Sequence, residues 1–425
     1  MVYGSMVKKE AIILTSEMNI EHDLTVPADL IRSAKSKALN GYTVIVGITG
    51  SIASVEMVKI IRELIRHGAD VYAVMSNASE KIVTRNAIQF ATGNPVVTEL
   101  TGNVEHVSML FNKKKVIYVV APATANTISK IACGIDDTAP TSFATIALGA
   151  GIKMIIAPAM HGQMYRNPII LDHIKKLKKL NVDFIFPLHE ENEAKLASMQ
   201  QILDYVIKAT YKGMLKRKKI LIIGGSTREE IDDVRYISNQ SSGYTAISLA
   251  REAFYNGAEV SLFYGMGNLV ELNFDNIKRF KNINELKKLI NENGKWDVII
   301  VPAALSDFTI EKRTGKISSE EDLILKLKKT DKILPILRKK SEIVIGFKME
   351  WGLKEENLIN KAVKKIEEYD IDMIIANNLD KISYSETEAY IVHKNKKYEK
   401  FKGTKEQLSS AIFKHIIDII KQKYI

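Results

Sequence analysis

Two turns rich in glycine and hydroxyl side chains hold the residues best suited to bind an anion, one in each half of the chain. The first reads GITGSIA at 47–53, and the second spans 224–243 and contains two arginines and the tripeptide Ser-Ser-Gly. Free backbone N–H groups at a helix start attract phosphate, and the Thr49 and Ser51 hydroxyls would add donors. A plain tight turn also fits the first stretch, and an arginine of the second would equally pair with a neighbouring aspartate.

Neither turn has the pattern of a dinucleotide-binding loop. The first has the spacing GxxGxxA, and Ser76 and Asn77 stand where an acidic residue would hold a ribose hydroxyl. The second begins GGSTREE and lacks the third glycine of that fingerprint. Of the functions considered for this chain, a flavin oxidoreductase with NAD in its second half is therefore the least favoured. The first turn favours the phosphate of a mononucleotide.

Two further motifs place alanine and proline at the ends of apolar segments. The sequence APATAN at 121–126 follows VIYVV, and APAMH at 157–161 begins at the last residue of KMIIA. Small residues and prolines in such turns suit a flat ring lying against the backbone. Each motif is unspecific alone, but together with the hydroxyl-rich turn they predict a ring-shaped cofactor.

The elements that must position these motifs are alternating strands and helices. From Tyr42 onward, an apolar strand, a glycine turn, an amphipathic helix ended by Gly68 and a second strand at 71–75 form one βαβ unit with parallel strands. In such sheets ligands bind beyond the carboxyl ends of the strands, where all of these motifs lie. Further strands are predicted at 116–120, 153–157 and 182–186, and the pattern restarts at 219–223.

The sequence thus predicts an α/β fold with two doubly wound, Rossmann-like domains. Residues 1–40 are expected to form a helical arm and 41–210 the first domain. A polar linker at 211–218 leads to the second domain at 219–425.

Composition excludes several classes of protein. The 425 residues carry a formal net charge of +11, but the lysines alternate with acids rather than aromatic residues, which favours a solvated surface over nucleic-acid binding. No apolar run reaches the roughly 18 residues of a membrane span. The single cysteine, Cys133, excludes an internal disulfide and a multi-thiolate metal site. We expect a cytoplasmic enzyme with small anionic substrates and no membrane partner.

Residues 42–205 resemble the homo-oligomeric flavin-containing cysteine decarboxylases, in particular those that act on phosphopantothenoylcysteine. The motifs GITGSIAS, EHV at 105–107, APATANTISKIACGIDD and PAMHGQMY carry the resemblance. It implies a flavodoxin-like domain with FMN, which oxidises the substrate thiol so that carbon dioxide can leave. The implied contacts are Gly50, Ser51 and Ser76 at the phosphate and Ala121, Pro122, Thr124 and Met160 at the ring.

Two histidines have implied roles in the same domain. His106 matches the active-site histidine of the family, although its spacing alone also fits a surface histidine before a helix. His161 replaces an asparagine that meets the substrate carboxylate in the family, and a ring N–H can still donate that hydrogen bond.

The clamp loop of the family carries a cysteine placed to protonate the product, but residues 187–198 contain none. Lys195 and His189 are the expected replacements. Cys133 stands one residue before a predicted helix cap at Gly134 and is expected to be a small buried filler. The missing cysteine leaves a non-catalytic regulatory flavoprotein as the main alternative, which would need neither His106 nor a second catalytic domain.

From about 219 to 415 the chain resembles the phosphopantothenate–cysteine ligases, through TREEIDDVRYISNQSSG and AALSDF. The order of the two halves is that of bifunctional enzymes of coenzyme A biosynthesis. The resemblance implies that CTP activates 4'-phosphopantothenate as an acyl-cytidylate, which cysteine then attacks, with Mg2+ neutralising the triphosphate. The choice of CTP over ATP stays open on sequence alone. The implied nucleotide contacts are Ala303, Ala304, Asp307, Lys316, Phe347, Lys361 and Lys365, and Asn239 would touch the acyl intermediate.

The two resemblances also imply an assembly. The first family builds its flavin site between the subunits of a trimer, and the second forms dimers. A three-fold and a two-fold contact together close a larger homo-oligomer, with a dodecamer as the expectation.

Overall fold

The computed structural model describes residues 27–190, 193–268, 272, 276–318, 320, 322–381 and 386–424. Two largely parallel sheets, each flanked by helices, form the two halves of the chain. The predicted fold class, an α/β protein with two doubly wound domains, is confirmed.

The first sheet forms around strands that are apolar on both faces. In β1 (Thr43–Ile48), Val44 and Val46 pack into one buried cluster, whereas Ile45 packs into a second cluster across the sheet. Burial on both faces is typical of a parallel sheet covered by helices. The other strands are β2 (Asp70–Met75), β3 (Val96–Val97), β4 (Val116–Ala123), β5 (Lys153–Pro158), β6 (Met160–His161), β7 (Asp183–Phe184), β8 (Leu188–Glu190) and β9 (Glu193–Lys195).

The order of strands in this sheet is β3-β2-β1-β4-β5-β7, so the chain changes direction between β1 and β4. Ligands of such sheets bind at this switch point. The helices are α1 (Met57–Arg66), α2 (Asn77–Glu80), α3 (Arg85–Thr92), α4 (Glu105–Phe111), α5 (Ala125–Cys133), α6 (Ala139–Gly149), α7 (Gly162–Tyr165), α8 (Pro168–Lys179) and α9 (Met199–Thr210), with 3-10 turns at Asp29–Ile31 and Ile52–Glu56.

The second sheet repeats this construction. In β10 (Lys219–Gly224), Ile220 and Ile222 face one buried cluster and Leu221 and Ile223 face another. The remaining strands are β11 (Arg228–Glu230), β12 (Tyr236–Ser238), β13 (Glu259–Tyr264), β14 (Ile277–Arg279), β15 (Trp296–Val301), β16 (Phe308–Thr309), β17 (Lys328–Lys329), β18 (Ser341–Glu350), β19 (Met373–Asn378), β20 (Glu386–His393) and β21 (Tyr398–Thr404). The helices are α10 (Tyr244–Tyr255), α11 (Ile283–Glu292), α12 (Leu334–Arg338), α13 (Glu355–Tyr369) and α14 (Lys405–Tyr424), with a 3-10 turn at Leu379–Lys381.

The order of the second sheet is β14-β13-β10-β15-β18-β19-β20-β21. It is parallel as far as β19, after which an antiparallel hairpin extends the edge. Three small sheets stand apart from the two large ones, namely β6-β9-β8, β11-β12 and β16-β17. Among the described helices, none combines the length and the apolar character needed to cross a bilayer.

Two segments differ from their predicted roles. Residues 27–40 contain a single 3-10 turn rather than a helical arm, and Ala28 and Leu39 pack into the core of the first domain. Residues 1–26 lie outside the described part of the chain. In the predicted linker, Leu215 is buried in the core of the second domain. Both segments carry apolar residues that the neighbouring cores bury, so neither behaves as a separate tether.

The two domains meet along α9 and α10. Tyr255 Oη donates to Asp204 Oδ1 at 2.7 Å, and Arg251 Nε lies 3.5 Å from Asp204 Oδ2. Burial raises the pKa of the Asp204 carboxyl group, while the charge of Arg251 opposes that rise. A second link is made by Tyr211, whose Oη donates to Glu252 at 3.1 Å. The interface therefore encloses charged groups that depend on each other.

Replacing Arg251 with Met is expected to lower the free energy of unfolding by about 3 kcal/mol near neutral pH, because the buried Asp204 carboxylate loses its cation. The pKa of Asp204 in the folded variant then lies further above its unfolded value. Between these two values the folded state holds a proton that the unfolded chain has lost, so the variant gains stability as the pH falls. Urea titrations across the acidic range measure this effect.

The double variant Asp204→Asn/Arg251→Met controls for the lost packing of Arg251, because no buried carboxylate remains. Its deficit relative to wild type should not follow this pH dependence. A deficit of the single variant that is the same at acidic and neutral pH would contradict the assignment.

Candidate functional site

A cavity of about 1320 Å³ opens beyond the carboxyl ends of the strands in the first domain. Its wall is formed by the loops that follow β1, β2, β4 and β5 together with the end of β9. The structure therefore brings together motifs that are up to about 150 residues apart in sequence. The predicted residues that line it are Gly50, Ser51, Ser76, Thr124, Met160, His161 and Lys195.

Hydroxyl side chains begin three helical segments at the rim of this cavity. Ser51 precedes the 3-10 turn that leads into α1, Ser76 caps α2 and Thr124 caps α5. A Cβ at Gly50 would lie 2.6 Å from a side-chain carbon of α2, so only glycine lets the first turn approach that helix. Helix starts concentrate free N–H groups and partial positive charge, which makes this end of the cavity suitable for phosphate.

The Thr49 hydroxyl, predicted to bind phosphate, is instead committed to the backbone. It is buried, donates to Pro122 O at 2.7 Å and accepts from Thr124 N at 3.2 Å. The phosphate role of Thr49 is therefore wrong, and its bonds hold the first turn against the end of β4. Ala121 and Pro122 lie in β4 and do not line the cavity. Their contact with a ring stays a prediction.

The two predicted histidines lie in different settings. His161 lines the cavity at the end of β6. His106 lies in α4 and does not line the cavity, and its ring centroid is 6.5 Å from that of Phe143. Its buried Nδ1 has no hydrogen-bond partner among the described residues. Within one chain, the structure therefore does not bring His106 to the other predicted residues.

The two residues predicted to replace the missing clamp cysteine, Lys195 and His189, differ in what the structure shows of them. Lys195 ends β9 at the cavity wall, whereas the side chain of His189 lies outside the described part of the chain. Cys133 is exposed rather than a buried filler, and its Sγ lies 3.8 Å from His173 Nε2 on α8. The prediction for Cys133 fails because the left-handed cap at Gly134 ends α5 at the surface.

In the second domain a hydroxyl pair joins the two predicted loops. Thr227 Oγ1 donates to Ser306 Oγ and accepts from Ser306 N, both at 2.8 Å. Asn239 Nδ2 donates to Ala304 O at 3.2 Å. The structure thus gathers Asn239, Ala303 and Ala304 at one edge of the sheet. The Thr227–Ser306 pair was not predicted, because small uncharged side chains give no sign in sequence of a partner 79 residues away.

Asp307 follows this pair, directly before β16. Its carboxylate is exposed and forms an ion pair with Lys332. The Thr330 hydroxyl donates to Ser306 O at 2.6 Å and Thr330 N donates to Asp307 O at 3.0 Å. The loop that carries Asp307 is therefore fixed from two sides.

Lys316 lies exposed in a loop that the second anion-binding turn holds in place. Asp233 Oδ2 accepts from Gly315 N at 2.8 Å, and Asp232 Oδ2 accepts from Ile317 N at 3.2 Å. These bonds flank Lys316 on both sides. The turn and the lysine loop consequently form one unit.

Arg235 completes this unit. Its Nη1 lies 3.2 Å from Asp232, so this arginine pairs with a neighbouring aspartate, as the alternative to anion binding predicted. Its Nη2 donates to Ile317 O at 3.0 Å. Burial would raise the pKa of Asp232, but hydrogen bonds from backbone N–H groups and the charge of Arg235 hold the pKa below its usual value. Asp232 is thus a stable anion that organises the loop around it.

Phe347 and the two predicted lysines lie on neighbouring elements. Phe347 lies in β18, and Lys361 Nζ on α13 is 3.2 Å from Glu350 at the end of that strand. Lys365 Nζ pairs instead with Glu368 at 2.7 Å, and this hydrogen bond raises the pKa of the lysine. Both lysines are predicted to bind the triphosphate, but they have different acidic partners in the structure. Their binding of the triphosphate stays a prediction.

No group of three or more His, Cys, Asp or Glu side chains suited to a metal ion occurs in the ranges that the structure describes. A metal that is largely coordinated by substrate phosphates and water does not require such a group.

Two family models match this chain, and the boundary between them falls between the first and the second large sheet. The model of the Flavoprotein family matches residues 32–211, and that of the DNA/pantothenate metabolism flavoprotein C-terminal domain matches residues 215–420. Coenzyme A biosynthesis bifunctional protein CoaBC of Thermococcus kodakarensis is 42% identical over 395 residues, covering 91% of this chain and 98% of the relative. The protein of that name from Methanocaldococcus jannaschii is 39% identical over 401 residues, covering 93% and 98%.

Among solved structures, the C-terminal domain of Coenzyme A biosynthesis bifunctional protein CoaBC is 27% identical to this chain. It covers 50% of this chain and 100% of that chain, with a TM-score of 0.42.

Gly243→Ala should destabilise the second domain, because Gly243 has a φ of +72° and a Cβ there would lie 1.9 Å from Tyr264 Oη. Left-handed backbone and overpacking together cost about 2–4 kcal/mol. Gly315→Ala is the matched control, since Gly315 has a φ of +79° but nothing within 4 Å of a Cβ. The control should lose only about 1 kcal/mol in urea unfolding. Equal losses in the two variants would contradict the proposed collision.

Proposed function

The chain belongs to the family of coenzyme A biosynthesis bifunctional proteins, and on that premise we propose how its two sites divide the reactions. It is an enzyme with a flavoprotein decarboxylase domain followed by a ligase domain. One observation supports the assignment of chemistry to particular residues. In each domain the motifs of the matched range converge beyond the carboxyl ends of the strands, where parallel α/β sheets bind ligands.

The first domain holds FMN in the large cavity. A volume of about 1320 Å³ accommodates a mononucleotide together with a substrate. The hydroxyl-capped helix starts support placing the phosphate at Gly50, Ser51 and Ser76. Thr124 and Met160 at the cavity wall would hold the ring, together with Ala121 and Pro122 of β4.

Decarboxylation of 4'-phosphopantothenoylcysteine follows from this placement. Bound FMN supplies the thiol oxidation that weakens the bond to the carboxylate. His161 donates a ring N–H to that carboxylate and holds it in the cavity. Lys195 Nζ delivers a proton to the product carbon, the step for which the family uses a clamp cysteine. Leu196, which is buried beside Lys195, helps to exclude water from the closed site.

The second domain makes the substrate of the first by joining 4'-phosphopantothenate to cysteine. Ala303, Ala304, Asp307 and Phe347 hold CTP, and Lys316 stabilises charge on the reacting phosphate. Lys361 and Lys365 bind the remaining phosphates after leaving their acidic partners. Asn239 contacts the acyl-cytidylate. Mg2+ accompanies the triphosphate through phosphate oxygens and water rather than through a protein cluster.

Subunit assembly would complete the first site. His106 lies outside the cavity of its own chain, and its Nδ1 has no partner in the described ranges. The exposed apolar residues Ile52, Val55 and Met164 at the cavity wall are also suited to a subunit contact. These features support a trimer in which His106 faces the cavity of a neighbour. With dimeric ligase domains the expected particle is a dodecamer, and the expected compartment is the cytoplasm.

Lys195→Ala is expected to slow release of 4'-phosphopantetheine about 100-fold while leaving oxidation of the substrate intact, because only the proton donor is removed. Loss of oxidised-flavin absorbance on adding substrate, measured beside product formation, separates the two steps. Cys133→Ala is the matched control and should behave as wild type. If Cys133→Ala alone abolishes turnover with FMN still bound, the thiol and not the lysine is the donor.

Lys316→Ala should slow the release of pyrophosphate from CTP and 4'-phosphopantothenate about 100- to 1000-fold, because a cation is lost where negative charge develops. Pyrophosphate release is followed with CTP and with ATP for both proteins, and wild type should prefer CTP. Lys326→Ala, which changes an exposed lysine ten residues further along the chain, provides a control for the general loss of a lysine. A Lys316→Ala protein with nearly full activity would show that this loop does not reach the phosphate.

A further inference from the structure

Glu229 in β11 carries a buried carboxylate that has no counter-ion among the residues that the structure describes. Its side chain is 7% exposed, and Thr309 Oγ1 donates to Oε2 at 2.6 Å. Oε1 is buried and has no hydrogen-bond partner among the described residues. No lysine, arginine or histidine in those ranges forms an ion pair with it. The carboxylate therefore has one oxygen satisfied and one oxygen unsatisfied.

Other buried acids of the described chain are better compensated. Asp372 pairs with Arg338 at 3.1 Å and with Lys423 at 3.2 Å, and Asp232 pairs with Arg235. Glu63 pairs with Lys35. Burying a carboxylate without a cation or a full set of donors is strongly unfavourable. Among the buried acids of the described chain, Glu229 is thus the one with a carboxylate oxygen that has no hydrogen-bond partner.

Glu229 lies close to the residues that are proposed to bind the substrates of the ligase. It lies two residues after Thr227, which is bonded to Ser306, and its hairpin partner Ile237 lies two residues before Asn239. Thr309, which holds its other oxygen, lies two residues after Asp307. The two loops that carry the proposed nucleotide and acyl contacts therefore meet at this carboxylate.

We propose that Glu229 binds the α-amino group of the incoming cysteine and accepts its proton, an inference that rests on the proposed ligase function. The ammonium transfers one proton to Oε1, and the freed nitrogen lone pair forms the amide bond with the acyl carbon. The bond between that carbon and the phosphate oxygen breaks, CMP leaves with the electron pair, and its phosphate takes the second proton that the nitrogen loses as the amide forms. No redox partner is needed.

An ammonium group fits this carboxylate better than Mg2+ does. Mg2+ needs six oxygen ligands, which the triphosphate and water would supply wherever the nucleotide lies, so it does not require the one unsatisfied oxygen of Glu229. An ammonium group needs only a single strong acceptor per N–H. Because Thr309 already occupies Oε2, the carboxylate offers one free oxygen, which is the number that a proton transfer uses.

Glu229→Gln tests the proposal, since it keeps the shape and an acceptor for Thr309 but cannot take the proton. In the full-length enzyme we expect pyrophosphate release in the first turnover within about twofold of wild type, and capture of cysteine slowed at least 100-fold. Hydroxylamine is largely uncharged at neutral pH and needs no such base. It should therefore trap the accumulated acyl-cytidylate at close to the wild-type rate.

Two further variants sharpen the test. Glu230→Gln alters the neighbouring carboxylate, which pairs with Lys312 at 3.0 Å, and should leave cysteine capture unchanged. Thr309→Val removes the hydroxyl that orients Glu229 and should raise the KM for cysteine without slowing pyrophosphate release. Decarboxylation of supplied 4'-phosphopantothenoylcysteine by each variant reports whether the protein is folded.

Each contrary outcome is distinct. Full cysteine capture by Glu229→Gln would overturn the proposal, as would equal loss of cysteine and hydroxylamine capture. Loss of pyrophosphate release in that variant would overturn it in favour of a role in activation, including Mg2+ binding. Failure of the ligase function itself would appear differently, as a wild-type enzyme that releases no pyrophosphate from CTP and 4'-phosphopantothenate.

Discussion

The parallel pairing of neighbouring strands is the constraint on which both sites depend. Because β1 pairs with β4 and β10 pairs with β15 in the same direction, the loops that follow each pair emerge at one edge. In both domains a threonine of the first turn then ties the two loops together. Thr49 bonds to Pro122 O, and Thr227 bonds to Ser306. Neither threonine is exposed, so each acts by fixing the backbone that presents the exposed groups.

Buried charge is handled in two contrasting ways in this chain. At the domain interface, Asp204 has Arg251, Tyr255 and a glutamine as partners, so the protein itself compensates the carboxylate. In the second domain, Thr309 is the one hydrogen-bond partner that the Glu229 carboxylate has in the described part of the chain. The first arrangement stabilises a fixed structure. The second leaves an imbalance that folding alone would not favour, which is the kind of feature that accompanies binding of a ligand.

Much of the architecture follows from local sequence. Apolar runs such as Thr43–Ile48 and Lys219–Gly224 predict strands buried on both faces, and the glycine turns after them predict where ligands bind. The bonding of Thr49 was not predictable, because its acceptor lies 73 residues away and looks like any other carbonyl. The edge hairpin β20–β21 was not predicted, because β20 has only a four-residue apolar run at 389–392 between polar residues, and β21 has none. Likewise, nothing in the spacing of Lys361 and Lys365 reveals that one faces Glu350 and the other Glu368.

The contact between α9 and α10 also has an evolutionary consequence. Helix α9 begins shortly after Lys195, and α10 begins directly after Gly243, so each carries a site at one end and the shared interface further along. A domain acquired from a distant relative would have to bring a cation opposite Asp204 and an acceptor opposite Tyr211. Recombination within the linker would seldom satisfy both requirements at once. The two halves of the gene are therefore expected to be inherited together and to change in step.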